Sequence, residues 1–348
     1  MSKLKFSLLP DTGTLSERDA KRYFSTVGLA ACLMMAVYTV GMRVLSMLLF
    51  YFAPSWLSNP WVYNLLSVIP LYGLAFPVFW IALRGLPRDG VQPDKMGGKH
   101  WLGGLCVSFA LMTAGNYIGN FFILAFEGAL GRSLSNPVAE ATVGQSLWIN
   151  LIFAAILAPI LEELVFRKLL CDRLLPLGEG YTVVLSAVIF GLVHGNFFQF
   201  FYAFFIGAFF ALVYVKTGRI RYSILYHVLI NFLGGVLAPW ILERLSPLLE
   251  EEALINLLEL YEKGDMVGVS AAIAGFELPL ALLAVHEMVM LVGSIVGIVL
   301  IVRNAKKVRL EKGLLPPPEE GRIANVFLNG GVAAALTVFA LTFVFSLR

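Results

Sequence analysis

Residues 147–170 read LWINLIFAAILAPILEELVFRKLL, and this stretch decides the fold. Positions 147–161 are apolar but for Asn150, and the run resumes after Glu162 and Glu163 as Leu164, Val165 and Phe166 before it reaches Arg167 and Lys168. A helix of roughly 20 apolar residues crosses the hydrocarbon core of a bilayer. Similar runs recur on both sides of it. Together they predict about nine spans, near 25–53, 62–84, 101–126, 147–170, 181–196, 198–215, 223–240, 281–303 and 323–346. The fifth and sixth are short and share one apolar stretch, so a tight hairpin that does not fully cross is open for them.

Composition agrees. Of 348 residues, 59% are hydrophobic and 14% charged, with a mean hydropathy of +0.81. Soluble domains carry about 45–50% apolar and about 25% charged residues, so one soluble domain is excluded. Disorder is excluded by the same excess. A net charge of +3, with basic residues in short clusters between apolar runs, argues against nucleic acid as a partner. The runs are continuously apolar rather than alternating, which excludes a membrane β-barrel. The fold class is therefore all-α, a polytopic membrane bundle of about eight to nine transmembrane helices. Cys32, Cys106 and Cys171 are too few for a disulfide framework and read as reduced packing residues.

Loop charges give an orientation, because cytoplasmic loops are rich in Lys and Arg. The N-terminal tail is basic at Arg18, Lys21 and Arg22, and so are the loops holding Arg84, Arg88, Lys95 and Lys99, then Arg167, Lys168 and Arg173, then Lys216, Arg219 and Arg221, then Arg303 to Lys312. The intervening loops are neutral, nearly so, or acidic, as in 241–266 with Glu250, Glu251, Glu252, Glu259 and Glu262. The alternation places the N-terminus in the cytoplasm. The first apolar run is too long for a signal peptide, and neither terminus shows a lipidation box, since position two is not glycine and the chain ends Phe345-Ser346-Leu347-Arg348. The expected organisation is a cytoplasmic tail 1–24, N-terminal transmembrane helices 25–144, a core 145–240, and a C-terminal segment 241–348 with an acidic outer loop and the last helices.

Ionisable groups inside a span are expensive and mark cavities or partners. Here they are Arg43, Glu162, Glu163, Arg167, His194, His227, His286 and Glu287, joined by the polar Asn231. On a helix Glu163 and Arg167 stand i,i+4 and pair. Glu162 points about 100° away and is the freer base. Pro159 loosens the helix ahead of it and opens room for water. His194 lies between Gly191 and Gly195, a spacing that lets another helix approach. His227 and Asn231 share a helix face, and donors converging on one point are what an oxyanion requires. Each feature alone also reads as a charged helix end or as interhelical hydrogen bonding. Together they supply a base, two imidazoles and an amide. His286, Glu287 and Arg43 read as structural, with Arg43 facing a cavity or pairing with Glu287. Phe197, Phe198, Phe200, Phe201, Phe204 and Phe205 read as facing bilayer lipid, with a lipid or prenyl groove as the alternative.

In order, Glu162-Glu163-x-x-x-Arg167, Phe190-x-x-x-His194 and His227-x-x-x-Asn231 resemble the CPBP family, the CAAX proteases and bacteriocin-processing enzymes also described as Abi-domain proteins or type II CAAX prenyl endopeptidases. The match covers about residues 145–240. The resemblance implies an intramembrane endopeptidase in which Glu162 activates water, His194 helps position and deprotonate it, His227 and Asn231 stabilise the oxyanion, and Glu163 with Arg167 braces the site. It implies a peptide or lipidated protein as substrate, a prenylated tail among the options. No cofactor is favoured, with zinc held by Glu162, His194 and His227 as the alternative. Depth along the spans places His194 deeper than Glu162 and His227, so the three meet only if the 181–215 hairpin is sunk or tilted. The rival readings are a non-catalytic scaffold or immunity protein and a proton-coupled carrier.

Overall fold

The computed structural model describes residues 13–347. The start of the expected tail, with position two, and Arg348 at the C-terminus lie outside the described residues. The described chain is a bundle of helices, and its strand-like pairing is limited to one isolated bridge, Gly178 with Lys312. Nine apolar helices form it: α1 (Glu17–Phe52), α2 (Pro60–Leu83), α3 (Gly98–Leu130), α4 (Leu147–Leu177), α5 (Glu179–Val193), α6 (Phe197–Thr217), α7 (Ile220–Leu249), α8 (Glu277–Lys307) and α9 (Gly330–Ser346). Seven are long and apolar enough to cross a membrane, and α5 and α9, at 15 and 17 residues, are shorter.

Several boundaries differ from the sequence reading. The sixth span is not short, since α6 has 21 residues. The fourth runs on to Leu177, so the expected basic loop 167–180 is largely helix. There Arg167 is buried in an ion pair and Arg173 donates to the Leu83 carbonyl, which leaves Lys168 as a half-exposed cation beside Asp172. The seventh span reaches Leu249, and the acidic loop begins on it before a separate helix, Glu251–Glu262. The fifth ends at Val193, so His194 sits at its C-terminal end instead of inside it.

Small residues set the closest helix contacts, as expected where lipid offers no hydrophobic drive between helices. A Cβ on Gly115 of α3 would lie 2.3 Å from the Tyr202 Cα on α6. One on Gly297 of α8 would lie 2.1 Å from the Cys106 carbonyl of α3. These contacts lay α3 between α6 and α8. The same arrangement overturns the lipid-facing reading of Phe197, Phe200 and Phe201, with Phe200 against Phe343 of α9 at 5.6 Å, and puts Phe198 on a cavity wall. Phe201 stacks on Phe122 of α3 at 5.0 Å, and Phe197 meets Phe343 of α9 at 4.8 Å. The cysteines are free thiols, Cys171 fully buried.

Besides the π segment Leu164–Cys171 in α4, three segments open into π turns, with i→i+5 hydrogen bonding: Ile69–Ala75 in α2, Asn150–Leu157 in α4 and Leu233–Leu237 in α7. A proline lies in or just after each, Pro70, Pro159 and Pro239. Proline has no N–H and cannot hold an α-helical ladder, and π turns concentrate at functional sites. All three segments line the main cavity of the bundle, about 900 Å³.

Candidate active site

The site starts from the carbonyl that Pro159 leaves without a partner. In α4 the Ala158 N–H donates to Phe153, five residues back. The next donor in that register would be position 159, aimed at Ala154, and proline supplies none. Asn231 fills the gap from α7, where its Nδ2 donates to the Ala154 carbonyl at 2.9 Å. One amide hydrogen of Asn231 is therefore used in joining α7 to α4, and the other remains for the cavity that the side chain lines.

One turn on, Glu163 and Arg167 are paired as their spacing predicts. Arg167 Nε lies 3.1 Å from Glu163 Oε2, and neither side chain has any exposure. The guanidinium also donates to Ser186 at 3.1 Å and lies 4.9 Å from the Phe190 ring centroid. Such a pair is stable only while both charges are present and held. Glu163 Oε1 in turn meets His227 Nδ1 at 3.1 Å. A carboxylate held by arginine accepts, so the hydrogen sits on Nδ1, and a neutral His227 presents its lone pair at Nε2. That Nε2 lies 3.8 Å from Glu162 Oε2.

Glu162 escapes the arginine and opens into the cavity, its side chain 16% exposed. Tyr72, in the π turn of α2, donates to its Oε1 at 3.3 Å. Sequence reasoning missed Tyr72, although a polar ring two residues after a mid-span proline was a signal. His194 lines the same cavity. Its Nδ1 lies 2.8 Å from the Phe190 carbonyl, which can only accept, so Nε2 carries the lone pair here too. The anticipated depth mismatch does not arise, because α5 is short and turns inside the bundle. The turn is made by Gly195, whose φ of +67° suits glycine, and a Cβ there would meet Thr342 of α9 at 2.7 Å and Met35 of α1 at 3.4 Å. Gly195 is thus a turn glycine and not half of a helix-packing pair. Gly191 does fit that role, set against Phe200.

The structure thus brings Glu162, His194, His227 and Asn231 to one cavity, with Glu163 and Arg167 behind them. The donor chemistry of Glu162 and two imidazole lone pairs suits zinc. Yet among the described residues no three His, Cys, Asp or Glu side chains converge closely enough to hold a metal ion. His286 and Glu287 reach the same cavity from α8, and Glu287 meets His286 at 3.0 Å in place of the anticipated Arg43. Arg43 lines a second, smaller cavity.

Residues 144–233 match the family model described as Type II CAAX prenyl endopeptidase Rce1-like. The chain is 35% identical over 134 residues to the membrane-embedded CAAX protease MroQ of Staphylococcus aureus (strain USA300), covering 36% of this chain and 53% of that protein. It is 29% identical over 158 residues to YdiL of Bacillus subtilis (strain 168), covering 44% and 64%. It is 27% identical over 154 residues to CAAX prenyl protease 2 of Arabidopsis thaliana, covering 38% and 43%. The chain thus spans about half the length of the curated relatives it matches. No solved structure matches it.

Proposed function

We propose that this chain, whose residues 144–233 belong to the type II CAAX prenyl endopeptidase Rce1-like family, is a membrane-embedded endopeptidase acting on a membrane-associated or lipidated peptide or protein. The observation that carries the reading is that Glu162, His194, His227 and Asn231 line one cavity, with His227 Nε2 3.8 Å from Glu162 Oε2 and the Glu163–Arg167 pair buried behind them. A bundle serving only as a scaffold has no need of that arrangement. The basic loops argue for a cytoplasmic N-terminus, and the likeness to proteins of Staphylococcus aureus and Bacillus subtilis supports a bacterial cell membrane.

In this reading Glu162 takes a proton from water while His194 Nε2 accepts the water's other hydrogen, which aims the oxygen at the scissile carbonyl carbon. The new C–O bond places negative charge on the carbonyl oxygen. The proton on Glu162 lies within reach of His227 Nε2. With Nδ1–H already directed at Glu163, the resulting imidazolium donates Nε2–H to the oxyanion, beside the spare amide hydrogen of Asn231. When the C–N bond breaks, the leaving amine takes the proton. Arg167, paired with Glu163 at 3.1 Å, holds it in place for this role.

The test is cleavage of fluorogenic peptides, prenylated and unmodified, by purified protein in detergent. Glu162→Gln keeps the shape and removes the base, and losing a general base costs about 10²–10⁴-fold in rate. A Glu162→Gln protein that folds and cleaves at the wild-type rate would overturn the reading, as would a biological role that survives the substitution.

A further inference from the structure

The two ends of the bundle differ in character. One carries the basic loops 84–97, 216–221 and 303–312, and the other carries the loops 53–59 and 131–146 with the acidic helix Glu251–Glu262. The basic end is closed. Asp172, whose side chain is fully buried, accepts from the Tyr214 hydroxyl at 2.6 Å and pairs with Arg88 and Lys168 at 3.1 Å each. Its carbonyl takes the Asp89 N–H at 2.8 Å, and the Thr217 carbonyl takes that of Asp94 at 2.8 Å. The 84–97 loop is thereby laced across the ends of α4 and α6. The segment after α8 is tied down beside it, with Glu179 N–H donating to the Glu311 carbonyl at 3.0 Å and Leu315 N–H to the Pro176 carbonyl at 2.7 Å. Between these loops and Glu162, Phe166, Phe190, Phe210 and Tyr226 fill the interior and are at most 1% exposed. Among the described residues, none from the basic loops lines either cavity.

The opposite end is open. The main cavity runs from Glu162 and His227 out to Pro137 and Val138 of the short helix Pro137–Thr142, in the 131–146 connection. Asn64, Asn116, Asn120, Asn136 and Asn150 line it on the way. An amide both donates and accepts, so such a wall can pair with water or with an extended peptide backbone without selecting a side chain. Glu287 lies ten residues into α8, about 15 Å along the helix axis at 1.5 Å per residue, and its side chain is 67% exposed. A carboxylate at that depth needs water around it. Among the described residues no lysine or arginine lines this cavity, and its acids are Glu162 and Glu287, so a neutral or basic chain meets no like charge there.

Resting on the endopeptidase reading above, and on the basic loops as the mark of the cytoplasmic side, we propose that the substrate reaches Glu162 from the extracytoplasmic face, as a neutral or basic peptide segment lying on that side with its backbone along the asparagine-lined wall. A cytoplasmic tail would first have to part the 84–97 loop from α4 and α6.

The experiment reads the side of access with single cysteines in the full chain, expressed in bacterial cells, with Cys32, Cys106 and Cys171 replaced by alanine. Gly234→Cys and Asn116→Cys report on the cavity, and a Cβ on Gly234 meets open space. Glu262→Cys marks the acidic end and Lys306→Cys the basic end, both exposed. Labelling requires the thiolate and therefore water. Intact cells are blocked with a membrane-impermeant maleimide, then permeabilised and labelled with a fluorescent one, each variant being read against its own unblocked signal so that folding yield divides out. The block should remove the signal of Gly234→Cys, Asn116→Cys and Glu262→Cys and leave that of Lys306→Cys. Cavity thiols that escape the block together with Lys306→Cys, or that stay unlabelled from both sides, overturn the proposal. So does a block that removes Lys306→Cys and spares Glu262→Cys. In a second arm, an impermeant fluorogenic peptide is added to intact cells carrying wild type or Glu162→Gln. Cleavage that depends on Glu162 before permeabilisation supports the proposal, and cleavage that appears only after it overturns the proposal. No cleavage by wild type even in detergent overturns the endopeptidase reading, while the thiol pattern still decides where the cavity opens.

Discussion

The bridge from Asn231 to the Ala154 carbonyl allows a prediction in which stability and catalysis separate. Asn231→Ala leaves that carbonyl without a donor, because Pro159 supplies none and the Ala158 N–H is committed to Phe153. An unpaired polar group costs about 1–3 kcal/mol, and the low end applies beside a cavity that admits water. At roughly 2–4 °C per kcal/mol in larger domains, thermal unfolding in detergent should shift down by a few degrees. Pro159→Ala returns an N–H at the position whose i→i+5 partner is Ala154. In that background Asn231→Ala should lose less than half as much stability, a coupling of about 1 kcal/mol. The loss of cleavage should not be rescued, because the second amide hydrogen is the one left to the cavity. Removing one oxyanion donor costs about 10²–10³-fold. The assay is a double-mutant cycle read twice, by thermal unfolding and by peptide cleavage. Equal destabilisation by Asn231→Ala in both backgrounds would refute the carbonyl argument, and rescue of cleavage along with stability would refute the oxyanion role.

Three further outcomes follow from the same geometry. Arg167→Met should destabilise the protein by about 3–5 kcal/mol, because it leaves the Glu163 charge buried without its partner; Glu163→Leu with Arg167→Met should regain folding, seen as a monodisperse peak in size-exclusion chromatography, but not cleavage. Incubation with EDTA or 1,10-phenanthroline should leave cleavage intact, and a loss restored by zinc would turn the proposal to a metal mechanism. Gly115→Ala places a methyl group against the Tyr202 backbone, so α3 and α6 must part at a cost of about 1–3 kcal/mol, measurable as a lower thermal midpoint; an unchanged midpoint would show that the two helices slide freely.

The fold was legible because length and hydropathy report directly on a bilayer crossing. Each expected span corresponds to one of α1–α9, and the i,i+4 rule anticipated the Glu163–Arg167 pair from spacing alone. What the sequence did not reveal belongs to backbone register. Where α4 ends depends on Arg167 and Arg173 finding partners within the bundle, and in sequence both look like loop charges. The halt of α5 at Val193 depends on Gly195 adopting a positive φ, while its spacing from Gly191 imitates a packing motif. Tyr72 and the Ala154 carbonyl escaped notice because a π turn changes which groups face inward, and no side-chain periodicity reports that change.

The short α5 and α9 end at the same place, where Gly195 meets Thr342. Beyond that level α1 continues to Phe52 without either of them. A 15-residue helix is about 22 Å long, some 8 Å less than a typical hydrocarbon core of about 30 Å. On that flank the protein offers lipid a low wall, and acyl chains must compress or bend to meet it. The dimple this imposes shortens the path from headgroup to Glu162. Acyl chain length thereby becomes a variable of the proposed activity, with thin bilayers favouring the resting shape of the bundle and thick ones working against it.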